Sequence, residues 1–188
     1  MATTISTLGF GLLAAASTAA AALGIENPDS AKPLEIPFFE KAPALDGKLS
    51  DDAWAKAALI SGFRKYGSGD VPEKNTKVRL GYDTQNLYIA VECSHPAQSA
   101  LKAIVNQEFV DAPVFGDDCV ELFFAGGEKS PAYHLAATSR CVRWDALEDK
   151  PELWDGRWEV ACSRGEDCWI AEFKIPFLEL PSRGNPCG

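Results

Sequence analysis

The chain has 188 residues, 46% of them hydrophobic, which is enough for one well-packed domain and too little for two. Its formal net charge of -9 and its pI near 4.7 set its surface against phosphate backbones and anionic headgroups, and no Lys- or Arg-rich run offsets them. Nucleic acid is therefore not an expected partner.

From the N-terminus, Leu8 to Leu23 is an apolar, Ala-rich run followed by Gly24 and the polar Glu26-Asn27-Pro28, with small residues for cleavage near Ala20 to Ala22. The flank before it has no basic residue, the first being Lys32. An uncleaved anchor is the alternative, but the run falls short of the ~20 apolar residues that span a bilayer. Residues 1–24 are thus expected to be a signal peptide and the protein to be secreted or periplasmic, free of the membrane after cleavage.

Residues 25–44 read as an extended lead-in, kept out of helix by Pro28, Pro33, Pro37 and Pro43, with Ile36, Phe38 and Phe39 as an edge strand. Asp46-Gly47 is a turn, Ser50 is placed as an N-cap, and Asp51 and Asp52 suit the first turn of a short helix to about Ala57. Trp54 on that helix reads as a core plug. Gly62, Gly67, Gly69 and Pro72 mark a loop around a brief strand at Phe63 to Tyr66. A hairpin follows: Val78, Leu80 and Tyr82 alternate with polar or small neighbours, as do Leu87, Ile89, Val91 and Cys93 after the turn at residues 83–86. Residues 97–114 form a weakly helical or irregular connection.

The stretch from Phe115 to Phe124 concentrates the chemistry. A strand at 118–124 puts Val120, Leu122 and Phe124 on a core face and Cys119, Glu121 and Phe123 on the other. Asp117, Asp118 and Glu121 then set carboxylates at the mouth of an apolar strand, a costly place unless something wet, cationic or sugar-like meets them. Alternatively Glu121 pairs with a nearby Lys or Arg and the two aspartates close a turn.

Tyr133 to Thr138 is the next strand, and Trp144 to Asp155 a polar loop carrying Trp144 and Trp154. Arg157 to Cys162 and Cys168 to Ile175 form a hairpin with Trp158 and Val160 facing Trp169, Ala171, Phe173 and Ile175; Phe177 to Leu180 is a helical turn. Cysteines stand at 93, 119, 141, 162, 168 and 187 with no Cys-x-x-Cys spacing, which disfavours zinc. The bridge expected from position is Cys162–Cys168, across the hairpin. Short alternating strands with almost no helix predict an all-β antiparallel sandwich, immunoglobulin- or jelly-roll-like, over residues 45–188.

Four stretches in order resemble the family 9 carbohydrate-binding modules and their DOMON-like sandwich relatives. They are Leu45-Asp46-Gly47-Lys48-Leu49-Ser50-Asp51-Asp52-Ala53-Trp54; Val78-Arg79-Leu80-Gly81-Tyr82-Asp83 with Asn86-Leu87-Tyr88; Asp117-Asp118-Cys119-Val120-Glu121-Leu122-Phe123; and Trp169-Ile170-Ala171-Glu172-Phe173-Lys174-Ile175-Pro176-Phe177. The resemblance implies a glycan-binding sandwich, often appended to a glycoside hydrolase, with calcium bound in some members. In binders of the family two tryptophans clamp a sugar end and polar groups, including the Glu at position 121 here, hydrogen-bond it. Phe115 stands at the first tryptophan's position. The second falls beyond residue 188, so the module is expected to be incomplete at its C-terminus. An Arg and an Asn supplied by the next strand correspond to Ala136 and Thr138.

The expected function is therefore a non-catalytic, secreted glycan binder using Phe115, Glu121, Trp144 and Trp154, with structural calcium as the one cofactor to consider. Asp46, Asp51 and Asp52, or Asp111, Asp117 and Asp118, could supply oxygen ligands. Three alternatives stand beside it: a sandwich that has lost sugar binding, a haem-binding domain using His95 or His134, and a small two-carboxylate glycoside hydrolase.

Overall fold

Strands dominate the described residues, 11–16, 22–23, 34–95, 101–105, 114–126 and 130–180, of the computed structural model. In chain order they are β1 (Gly11–Ala16), β2 (Ala22–Leu23), β3 (Ala58–Ile60), β4 (Phe63–Arg64), β5 (Thr76–Tyr82), β6 (Asn86–Ser94), β7 (Cys119–Ala125), β8 (Tyr133–Thr138), β9 (Arg143–Leu147), β10 (Glu159–Arg164) and β11 (Cys168–Pro176). One short helix, α1 (Asp52–Lys56), precedes β3. β1, β7, β8 and β9 form one sheet in that order, and β10, β11, β6, β5 and β3 the other; β2 and β4 pair separately. All strand pairings are antiparallel. The architecture is the all-β sandwich expected.

The core lies between the two sheets because alternation sends one apolar row from each strand inward. Val78 and Leu80, Ile89 and Val91, Ala171 and Phe173 from the larger sheet meet Val120, Leu122, Leu135 and Ala137 from the smaller. Trp158 seals one end, its ring 5.8 Å from that of Phe173. The outer face of the larger sheet is covered as well: Tyr88 and Ala90 of β6 lie under Phe39 and Trp54. Trp54 is thus the plug its position on α1 implied.

The first and last sequence stretches of the family pattern meet here. Glu172, on β11 and fully buried, accepts hydrogen bonds from the Asp46 and Gly47 amides at 3.0 and 2.7 Å, and Ser163 Oγ donates to the Gly47 carbonyl at 2.6 Å. Gly47 has a φ of +75°, and a Cβ there would come within 2.8 Å of the Cys162 and Ser163 backbone. Only glycine fits both demands.

Several expectations need correction. Asp51, not Ser50, is the N-cap of α1, and its carboxylate accepts from the Ala44 amide at 3.1 Å. Residues 144–155 are not all loop, since β9 runs through Trp144, Asp145 and Ala146, all buried. The acid misleads in sequence because its burial is compensated: Asp145 accepts from the Trp158 indole at 2.7 Å and the Gly156 amide at 3.1 Å. β3 was not anticipated. The disulfide joins Cys162 to Cys141, with Cα atoms 5.6 Å apart, and Cys168 remains a thiol. The β10–β11 register explains this, because Cys162 stands opposite Ala171, leaving Cys168 three residues along the partner strand. Apart from these corrections, Gly11–Ala16, within the segment expected to be the leader, runs antiparallel to β7 as β1, with Ala15 opposite Glu121.

Candidate functional site

The face of β7, β8 and β9 turned away from the core carries the side chains of interest. On β7 the alternation that buries Val120, Leu122 and Phe124 against the larger sheet turns Glu121 and Phe123 the other way. In register beside them on β8 lie Ala136 opposite Glu121 and His134 opposite Phe123; on β9, Trp144 stands opposite Ala136 and Ala146 opposite His134. Two alanines between large neighbours leave room for rings. Trp144, Ala136, Ala146, Val142 and Val114 form a second apolar cluster there.

His134 is the hub of this face. Its ring stacks on Phe123 with centroids 3.8 Å apart and meets Trp144 edge-on at 4.8 Å. Phe115, on a 3-10 turn at Val114–Gly116, closes the group 4.8 Å from Trp144 and 5.6 Å from His134. Phe115 is 41% exposed, so one side of its ring faces solvent. The imidazole Nε2 lies 3.1 Å from Glu121 Oε2 and Nδ1 lies 2.9 Å from Asp149 Oδ1. Both contacts are donated only by a doubly protonated ring; a neutral imidazole donates one.

Three of the four expected site residues therefore converge, though not as expected. Phe115 is the exposed aromatic anticipated. Glu121 is not an open carboxylate beside it: it is 6% exposed and capped by His134. Trp144 is on a strand and buried beneath Phe115, not on a loop as a free platform. Trp154 does not join them. It packs edge-to-face on Tyr133, 4.9 Å away, against the inner core. His134 entered the sequence reading only as a candidate haem ligand, and Asp149 not at all. Two-residue alternation along β8 puts His134 on the same face as Ala136, opposite the Glu121 strand, whereas nothing in the sequence forecasts Asp149.

Asp117 and Asp118 do not face a ligand but fasten the turn that carries Phe115. Asp117 Oδ2 accepts from the Ile104 and Val105 amides, each at 2.8 Å, and Asp118 Oδ2 from the Lys102 amide at 2.8 Å. Burial pushes Asp118 above the usual carboxylate range, only partly offset by the Lys102 amide. Burial likewise raises Asp145 against the pull of Trp158 and Gly156.

These bonds also answer the calcium expectation. Asp46 Oδ1 accepts from the Lys48 amide at 2.9 Å, Asp51 is used at Ala44, and Asp117 and Asp118 hold residues 102–105. Asp111 lies outside the described residues. Among the described residues no group of three or more His, Cys, Asp or Glu side chains converges to hold a metal. For haem, His134 has a carboxylate on each ring nitrogen.

A family model described as "Carbohydrate family 9 binding domain-like" matches residues 45–188. Among solved structures, a family 9 carbohydrate-binding module from Caldicellulosiruptor kristjanssonii in complex with glucose is similar with a TM-score of 0.55 and 18% identity. The match covers 78% of this chain and 69% of that one. A family 9 module of the same organism in complex with cellotriose gives 0.54 and 19%, covering 79% and 70%. No curated protein matches the chain.

Proposed function

This chain belongs to the family 9 carbohydrate-binding domains, and from that premise we propose that it binds glycans non-catalytically on the outer face of β7, β8 and β9. The observation that carries the reading is Phe115: an aromatic ring 41% exposed, braced from behind by Trp144 and His134, with Glu121 bonded to that same histidine. A pyranose stacks its apolar face on such a ring while its hydroxyls seek polar groups at the rim. The glucose and cellotriose complexes of the two similar modules support a sugar ligand for this chain. Exported by the leader in residues 1–24, the module would act on extracellular or periplasmic polysaccharide, appended to a glycoside hydrolase that it brings to substrate.

The test is retention on insoluble cellulose and xylan, with calorimetric titration of cellotriose. Phe115→Ala, which removes an exposed ring and little of the core, is expected to weaken binding about tenfold or more, as loss of an aromatic anchor does. Undiminished binding by that variant would remove the site from this face.

A second reading is favoured by one observation, the burial of Glu121 under His134. On it the chain is a sandwich that has given up sugar recognition for an interaction role. Failure of the native protein to bind any member of a broad glycan array would select it.

A further inference from the structure

We infer that Asp149 is a built-in stand-in for the ligand, its carboxylate holding on His134 Nδ1 the place that a sugar hydroxyl takes when glycan binds. This rests on the glycan reading above and adds the polar subsite that reading lacks.

His134 is 5% exposed and enclosed by Phe123, Trp144 and Phe115, with Nε2 committed to buried Glu121. Nδ1 faces a different partner. The Asp149 side chain is 78% exposed, so an oxygen acceptor coming from solvent already sits 2.9 Å from that nitrogen. A hydroxyl oxygen is the same kind of acceptor, and it also carries a proton to donate. Phe115, the stacking ring of the glycan reading, has its centroid 5.6 Å from the imidazole's, so a pyranose on it would lie beside the histidine and would offer Nδ1 a hydroxyl once the carboxylate withdraws.

The turn that presents Asp149 is held by its backbone, so withdrawal asks only the side chain to move. Glu148 and Asp149 have φ values of 52° and 60°, so two successive residues with side chains occupy the left-handed region that glycine favours. Lys150 donates to the Leu147 carbonyl at 3.0 Å to close the turn, and the Asp149 carboxylate reaches from it to His134 Nδ1. The two halves of the histidine clamp are unequal. Glu121 has little water to return to, whereas Asp149 is solvated on release, and an ion pair with so exposed a partner is weak. Ligand competition therefore falls on Nδ1, with Glu121 keeping the ring in place throughout.

Calorimetric titration of cellotriose into the full chain tests this, with Asp149→Ala and Asp149→Asn beside the native protein and circular dichroism confirming that each is folded. Removing the competitor is expected to tighten binding roughly two- to fivefold in Asp149→Ala, the range set by a weak surface pair, with a smaller change in Asp149→Asn, which keeps an acceptor oxygen. Binding by the native protein with equal or weaker binding by Asp149→Ala overturns the inference alone, because Asp149 would then support the site. Binding by Asp149→Ala where the native protein shows none upholds it. No binding by any form overturns both this inference and the glycan reading. A second measurement holds if the alanine variant is poorly folded: in the native protein, saturating cellotriose shifts the backbone amide resonances of Glu148 and Asp149, and their invariance in a bound sample overturns displacement.

Discussion

Replacing Glu172 by alanine and by glutamine separates two things this side chain does. With alanine, the Asp46 and Gly47 amides lose an acceptor held at 3.0 and 2.7 Å in a site with no exposed surface on the glutamate. A stranded buried donor costs about 1–3 kcal/mol, so the pair costs about 2–6 kcal/mol, a large part of the roughly 5–15 kcal/mol that holds a domain folded. Glutamine keeps an acceptor oxygen and the shape, and removes only the charge. Burial drives the Glu172 pKa above its usual value, against the pull of the Gly47 and Asp46 amides and with a further push from the Asp46 charge. The folded-state pKa is thus higher than the unfolded one, so this group's contribution is fully present below the unfolded pKa of about 4.3 and is lost as pH rises through the folded value. Urea midpoints of native protein and Glu172→Gln from pH 4 to 8 read it directly, since other groups cancel in the difference. The glutamine variant should gain on the native protein as pH rises through and beyond the usual carboxylate range. A difference that is flat, or that moves the other way, would refute the reasoning.

Three further outcomes follow from the same packing. Peptide mapping of unreduced protein should recover Cys141 joined to Cys162 with Cys168 open to alkylation, and Cys141→Ser with Cys162→Ser should lower stability by about 2–4 kcal/mol in urea; a Cys162–Cys168 peptide would contradict the structure. Gly47→Ala, at a φ of +75° with backbone 2.8 Å from the new Cβ, should cost about 1–3 kcal/mol or more of stability, and a loss under about 0.5 kcal/mol would show that the turn yields. Trp154→Ala should reduce thermal stability while leaving glycan retention intact, and Phe115→Ala should do the reverse; equal loss of binding in both would place the stacking surface elsewhere.

What sequence could reveal is governed by periodicity. Alternation carried the inward rows of β5, β6, β7 and β11 because a two-residue repeat beside a core leaves no choice of face. It failed at β9, where Asp145 and Arg143 give the segment a polar look. The Arg143 guanidinium lies over the Trp158 ring and donates to the Gly156 carbonyl, so charges that suggest solvent are spent inside. The disulfide failed for a related reason: proximity along a hairpin is not proximity across it, and Cys141, brought in by the turn after β8, is remote in sequence.

The two departures from the family's sugar-binding set acquire separate physical accounts. Thr138, where the resemblance implies an Asn, turns its Oγ1 to the Arg140 and Val142 amides, each at 3.2 Å, and so shapes the β8–β9 turn. Ala136, where the resemblance implies an Arg, is fully buried and packs with Trp144, and a long side chain there would compete with the indole for the space between β7 and β9. Two residues back along the same strand, His134 shares the Ala136 face and reaches Glu121 from the side. On the reading proposed above, the Glu121 carboxylate serves to hold a donor, and the group left for a sugar is the imidazole's other nitrogen.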